Sequence, residues 1–410
     1  MTSLDGTVVI VGAGHAGGSV ATMLRQQGWL GPVVLLGEEP LAPYQRPPLS
    51  KAWLKGEAAL DGLLLRKPEI YAQQRIDLRV DTRVVAINRR ACEVVLADGG
   101  RLRYDALILA TGTRPRVLPV VGADLPGVLS LRGLADADRL KLTLGTATRL
   151  AVVGGGYIGL EVASAARSLG LEVTVVEREE RPLARVASPE ISAFFRRLHE
   201  ERGVAFALSA EVAAIGGRGG RVAAVELGDG RRIDADLVLV GIGAVADMAL
   251  AIDAGLDCRD GVLVDQACRT SDPSIHAIGD ITRRPLPLYG REGRLENVQN
   301  ALEQARQTAC DLCGKPPPAP EVPWFWSDQY ETKLQIAGLP FGAVRRVVRG
   351  NPAEGRFAVF HLMEDGVLVA VEAVNLPGEF MIGRQWIGQR RVLSPERVAD
   401  AALSIKEVAG

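Results

Sequence analysis

Short, wholly apolar runs recur along the chain, each followed by a glycine-rich turn and then by helical periodicity. "TVVIVGAGHAGGSVATMLRQQG" starts at Thr7 and "RLAVVGGGYIGLEVASAARSLG" starts at Arg149. Both predict a buried strand, a tight turn and a helix closed by glycine. Each is followed by a second apolar run with an acidic end, "VVLLGE" at Glu38 and "VTVVE" at Glu177. Further on, "EVVLADGGRLRYDALILATG" and "VAAVELGDGRRIDADLVLVGIG" each place an Asp-Gly turn between apolar segments, which predicts a hairpin. Gly99 to Gly112 and Gly230 to Gly243 are both 13 positions apart. The chain therefore repeats one α/β plan.

The repeat carries a chemistry. Gly12, Gly14 and Gly17, then Gly154, Gly156 and Gly159, form two G-x-G-x-x-G motifs. In such a motif the first glycine permits the turn, the second admits a pyrophosphate to the backbone, and the third lets helix and strand pack closely. The helix N-terminus then offers N–H groups to the phosphates. A carboxylate at Glu38 or Glu177 suits the two ribose hydroxyls. Two tandem dinucleotide-binding units are expected. After the second, "TSDPSIHAIGD" ends in Gly279 and Asp280. Asp280 suits either a polyol or the cap of a following helix.

The pattern changes beyond the proline-rich connector "KPPPAPEVP" at 315–323. "RFAVFHLMEDGVLVAVEAVN" predicts a hairpin turning at Asp365 and Gly366, and "SPERVADAALSIKEV" a terminal helix capped by Ser394. This is a small third domain of mixed α+β type.

Composition adds exclusions. A net charge of −1 over 410 residues gives no overall drive toward nucleic acid or an anionic membrane. The N-terminus lacks the basic region and the length of apolar run of a signal peptide, and "LVLVGIGAVA" is too short to span a bilayer. A cytoplasmic protein is expected, monomeric or weakly dimeric. Of Cys92, Cys258, Cys268, Cys310 and Cys313, only the last two form C-x-x-C. No second pair or histidine cluster accompanies them, so no metal site is expected and they read as structural thiols.

With "ATG" at 110–112, "T-x6-A-I-G-D" from Thr270 to Asp280, "PYQRPPLSK" at 43–51, "GGGYIGLE" at 154–161, "ENVQNALEQAR" at 296–306 and "PWFWSDQY" at 323–330, the chain resembles the FAD-dependent NADH:ferredoxin reductases of bacterial oxygenase systems. These belong to the glutathione-reductase-type flavoproteins. The resemblance covers essentially the whole chain. It implies a discontinuous FAD domain at 1–115 and 243–320, an NAD domain at 116–242 and a C-terminal domain at 321–410.

It also implies roles. Gly12, Gly14, Ala16, Gly17 and Glu38 would hold the ADP half of FAD. Arg46, Lys51, Val84, Ala110, Thr111, Gly112, Arg132, Gly243, Gly279, Asp280 and Val298 would complete the FAD set. Gly154, Gly156, Tyr157, Ile158, Gly159 and Glu177 would meet NADH, with Glu161 at the nicotinamide amide and Trp326 near the isoalloxazine. Lys51 and Glu161 would be the catalytic pair, the ammonium stabilising the reduced ring. The disulfide reductases of the superfamily carry a cysteine pair near the first glycine motif; "PYQRPPLSKAWL" at 43–54 has none, and 116–242 has none either. Electrons should therefore leave directly, singly, to a 2Fe–2S ferredoxin. Arg306 matches a docking position of the family; Lys333 and Lys406 are further basic candidates. The alternatives are a rubredoxin or small-molecule reductase, and a redox-sensing flavoprotein resembling apoptosis-inducing factor.

Overall fold

The computed structural model describes residues 4–408. The chain forms two compact units, which it enters and leaves more than once. The first comprises the chain up to Arg46, Leu60–Arg114 and Val245–Glu321; the second comprises Pro47–Ala59, Pro115–Ala244 and the chain from Val322.

The first unit is built on a five-stranded parallel sheet. Its order is Ile275–Ala277, Ala106–Leu109, Val8–Val11, Val33–Leu36, Ile76–Arg79. The three central strands are buried at every position, as strands covered on both faces must be. Their side chains alternate between two cores. Val8 and Ile10 join Val20, Leu24 and Ala305 on one side, while Val9 and Val11 join Leu107 and Ile275 on the other. The pairing of Ile275–Ala277 with Ala106–Leu109 brings the returning chain back into this sheet.

The second unit repeats the design. Its parallel sheet runs Val204–Ala207, Glu172–Val176, Arg149–Val153, Leu237–Val240, Val128–Leu129. Each unit also carries a three-stranded antiparallel sheet: Val84–Asn88, Glu93–Leu96 and Arg101–Arg103 in the first, Val212–Arg218, Arg221–Leu227 and Arg232–Asp234 in the second. The expected Asp-Gly turns at 98–99 and 229–230 connect their last two strands, with Gly99 and Gly230 at positive φ of 88° in both cases.

The second unit contains a further antiparallel sheet ordered Trp324–Gln329, Thr332–Gly338, Leu368–Val374, Arg356–Leu362, Arg345–Asn351, with the helix Pro377–Gly388. Leu334, Phe357, Val359 and Val374 of this sheet share one core with Leu150, Leu160 and Phe195 of the nucleotide-binding part. The hairpin around Asp365 and Gly366 is as expected. The terminal helix is shorter than its sequence implies. Ser394 caps it by accepting from the Arg397 N–H at 3.3 Å, but it ends at Ala399 and turns follow. The pattern from Asp400 onward is closed by side-chain caps such as Ser404 with Glu407, which compete with helix.

Candidate functional site

The two glycine motifs have the same anatomy. Gly12 and Gly154 sit at φ of 110° and 106°, and a Cβ on either would collide with the carbonyl oxygen of Ala110 or Gly241 on the neighbouring strand end. Gly17 and Gly159 pack against the carbonyls of Gly12 and Gly154. Gly14 and Gly156 differ from these, because an added Cβ would meet nothing within 4 Å. Each is the N-cap of a helix, His15–Gln27 or Tyr157–Ser168, and neither helix has a side-chain cap. Open space beside uncapped N–H groups is what a pyrophosphate requires. The residues present thus fit a dinucleotide at each motif.

The remaining first-unit candidates lie on several elements. Gly279, at φ 79°, faces Ala16, whose Cβ would lie 3.1 Å from an added methyl. Ala110 is buried, and the Thr111 hydroxyl donates to the Asp247 carbonyl at 2.8 Å. Gly112 has φ 71°. Val84 opens its strand, buried, and Val298 is the first residue of the helix Val298–Leu312, capped by Asn297. Glu38 is exposed, with Arg83 at 3.6 Å. Arg46 is ion-paired with Glu39. Asp280 lies in the 3-10 turn Gly279–Ile281, and the strand Thr282–Leu286 follows. It caps no helix, so that expectation is corrected. His15, inside the first motif, leaves its Nδ1 buried without a partner among the described residues, and burial lowers its pKa.

In the second unit Glu177 shapes its own loop. Its Oε2 accepts from Gly155 N–H at 2.6 Å and its Oε1 from Glu179 N–H at 2.9 Å. Arg181, near in sequence, is committed elsewhere: its guanidinium donates to the carbonyls of Ala184 and Ala187 and to the Ser192 hydroxyl. Tyr157 donates to the Val186 carbonyl at 3.1 Å, and its ring lies 4.6 Å from that of Phe325. Burial, then the Glu372 and Glu161 carboxylates, raise its phenol well above the usual value. Ile158 stands exposed on the first helical turn. Gly243 has φ 97°, and its carbonyl accepts from Arg116 N–H. Arg132 precedes the helix Leu134–Leu144, its N–H donating to Asp136.

Lys51 and Glu161 meet. The 3-10 turn Pro47–Ser50 and the helix Tyr157–Ser168 bring the ammonium to 2.7 Å from Glu161 Oε2. The carboxylate is 4% exposed and the lysine 17%. Ser50 Oγ donates to the same oxygen at 2.5 Å, and Ser327 Oγ to Oε1 at 2.6 Å. Lys51 also donates to the Pro47 carbonyl at 3.1 Å. A buried carboxylate with three donors aimed at it is a held group, not a surface charge. Trp324 and Trp326 project together from one face of their strand, ring centroids 5.5 Å apart. Ser50 and Ser327 were not anticipated from the sequence. The signal was present in "WFWSDQ", where alternation puts Ser327 on the face opposite Trp326.

Cys310 is buried and Cys313 half-buried at the end of the helix before Gly314, and neither is disulfide-bonded. Burial raises the Cys313 thiol. Among the described residues no group of three or more His, Cys, Asp or Glu is placed to hold a metal ion, and no helix is long and apolar enough to cross a membrane. Of the basic candidates, Arg306 pairs with Glu321 at 2.6 Å and Lys333 lies 3.7 Å from Asp328; Lys406 is exposed.

Comparison with known proteins places these features in context. Residues 6–305 match the pyridine nucleotide-disulphide oxidoreductase family, and residues 324–409 match the reductase C-terminal family. The chain is 49% identical over 403 residues to a probable ferredoxin reductase, CtmF, of Castellaniella defragrans, covering 98% of each. It is 45% identical over 406 residues to the putidaredoxin reductase CamA of Pseudomonas putida, covering 98% of this chain and 96% of that one. It also superposes on the reductase of a covalent putidaredoxin reductase–putidaredoxin complex with a TM-score of 0.95 at 44% identity, covering 98% of both chains.

Proposed function

The chain belongs to the pyridine nucleotide-disulphide oxidoreductase family, and from that premise we propose that it is an FAD-dependent NADH:ferredoxin reductase passing electrons singly to a 2Fe–2S ferredoxin of an oxygenase system. The observation that carries this reading is the buried Lys51–Glu161 pair, together with the absence of cysteine from the segment 43–54 that holds Lys51. The full-length likeness to ferredoxin reductases supports the same acceptor.

When bound, FAD accepts a hydride from NADH and releases electrons one at a time. The chain's own residues provide the setting. Gly12, Gly14, Ala16, Gly17 and Glu38 receive the ADP half of FAD. Gly154, Gly156, Ile158, Gly159 and Glu177 receive NADH. The Lys51 ammonium supplies positive charge where negative charge develops, and Glu161 fixes that ammonium. Trp326 would provide an aromatic face to the isoalloxazine.

Ferredoxin docking is assigned to a locally basic face that includes Arg306. The test is NADH-dependent cytochrome c reduction with and without an added 2Fe–2S ferredoxin. Strong dependence on the ferredoxin is expected. A rate independent of it would assign the electrons to another acceptor.

A further inference from the structure

The motif "WFWSDQY" contributes more than its tryptophans. On the strand Trp324–Gln329, Ser327 and Gln329 point to the face opposite Trp324 and Trp326, and both are fully buried. They belong to a hydrogen-bonded chain that ends at Glu161. Ser327 Oγ lies 2.6 Å from Glu161 Oε1, and Gln329 Nε2 lies 3.2 Å from Ser327 Oγ. His199 Nε2 lies 2.9 Å from Gln329 Oε1, and the Tyr330 hydroxyl lies 3.5 Å from His199 Nδ1. His199 comes from the helix Pro189–Glu201 and is also fully buried.

Donor and acceptor counting gives this chain one direction. A carboxylate only accepts, so the single Ser327 proton goes to Glu161. Ser327 Oγ must then accept from the Gln329 amide nitrogen, which turns the Gln329 carbonyl oxygen toward His199. That oxygen also only accepts, so the His199 proton sits on Nε2. Nδ1 is left with its lone pair facing Tyr330. Every proton in the series points toward Glu161. Burial pushes the His199 imidazole down to about 4, partly countered by the bond to Gln329, so at neutral pH it carries one proton and the direction holds.

A chain of this kind is a high-stakes feature, because each buried member is satisfied only by its neighbour. It also takes up Oε1 of Glu161, while Ser50 and Lys51 take up Oε2. The plane of the carboxylate is thereby set from both sides. We infer that Ser327 and Gln329, backed by His199, are positioning residues for hydride transfer: they fix the Glu161 carboxylate and, through it, the point at which the Lys51 ammonium is held. This rests on the reading above that Lys51 and Glu161 serve that step. Neither Ser327 nor Gln329 needs to touch a cofactor.

The experiment is a double-mutant cycle in the full-length holoenzyme, with Ser327→Ala, Glu161→Gln and the pair. Three quantities are read: the single-turnover rate of flavin reduction by NADH, the Kd of NAD+ by calorimetry, and bound FAD. Ser327→Ala should slow reduction about tenfold, as expected for a displaced reacting group, with the Kd of NAD+ changed less than about twofold and FAD content unchanged. On the Glu161→Gln background it should add less than about twofold, because it acts through that carboxylate. Gln329→Met, which keeps the length and removes both hydrogen bonds, should reproduce the loss, and Ser327→Thr should restore the rate. Wild-type rates in Ser327→Ala and Gln329→Met beside a slow Glu161→Gln would overturn the inference and leave the Lys51–Glu161 reading standing. Additive losses would overturn it too. A wild-type rate in Glu161→Gln would overturn both.

Discussion

Lys51 Nζ stands 2.7 Å from Glu161 Oε2 although 110 residues separate them in the chain, and the carboxylate it meets is 4% exposed. Its proposed role is electrostatic. Lys51→Met should therefore slow flavin reduction by NADH on the order of ten- to a hundredfold while FAD content stays near wild type. Rapid-mixing absorbance measures the rate. An unchanged rate would remove Lys51 from the catalytic set.

Much of this was legible in the sequence, and the reason is physical. A fully covered parallel strand must be apolar throughout, and a pyrophosphate-binding turn must be glycine-rich. "VVIVGAGHAG" and "LAVVGGGYIG" therefore announce both the sheet and the cradle. The Asp-Gly hairpins were legible because their turns need positive φ. Hydrogen-bond partners were not. Nothing local links Ser50, Ser327 and Glu161, which three separate segments bring together. Asp280 was ambiguous because a carboxylate suits a helix cap and a ligand alike, and only the strand that follows excludes the cap.

Coenzyme choice follows from Glu177 and from the commitment of Arg181. The carboxylate repels a 2′-phosphate, and Arg181 is held by loop carbonyls and Ser192. Arg178, exposed beside Glu179, is a nearby cation. NADH should be favoured over NADPH by roughly tenfold or more in kcat/KM. A ratio favouring NADPH would contradict this.

Arg306 should matter to the acceptor and not to NADH. Its pairing with Glu321 at 2.6 Å partly neutralises it, so Arg306→Glu should raise the apparent KM for ferredoxin only severalfold. The salt dependence should flatten, since the lost attraction is one screened over about 8 Å at physiological ionic strength. Flavin reduction by NADH should be unchanged. Equal loss in both half-reactions would indicate misfolding, and an unchanged KM would exclude Arg306 from the interface.

Stability should fall in mild acid through His199. Burial holds its pKa at about 4 in the folded chain, against 6.5 for an unperturbed imidazole. The unfolded state thus binds the proton more readily. The stabilisation is intact above about pH 6.5 and is lost as pH falls toward 4, by about 2 kcal/mol between pH 7 and pH 5. His199→Gln should lack this component. Denaturant melts at the two pH values measure it, and an identical acid loss in the variant would contradict the assignment.

The central claim is that electrons pass from NADH to a one-electron acceptor without an internal disulfide. The most direct measurement is anaerobic stoichiometry: a limiting amount of NADH is added to the holoenzyme with excess oxidised 2Fe–2S ferredoxin, and reduced ferredoxin is counted from its visible spectrum. The account predicts two ferredoxins reduced per NADH, both in the native chain and in the Cys310→Ser, Cys313→Ser double variant. NADH consumption that leaves the ferredoxin oxidised, or a yield that collapses in the double variant with FAD still bound, would contradict it.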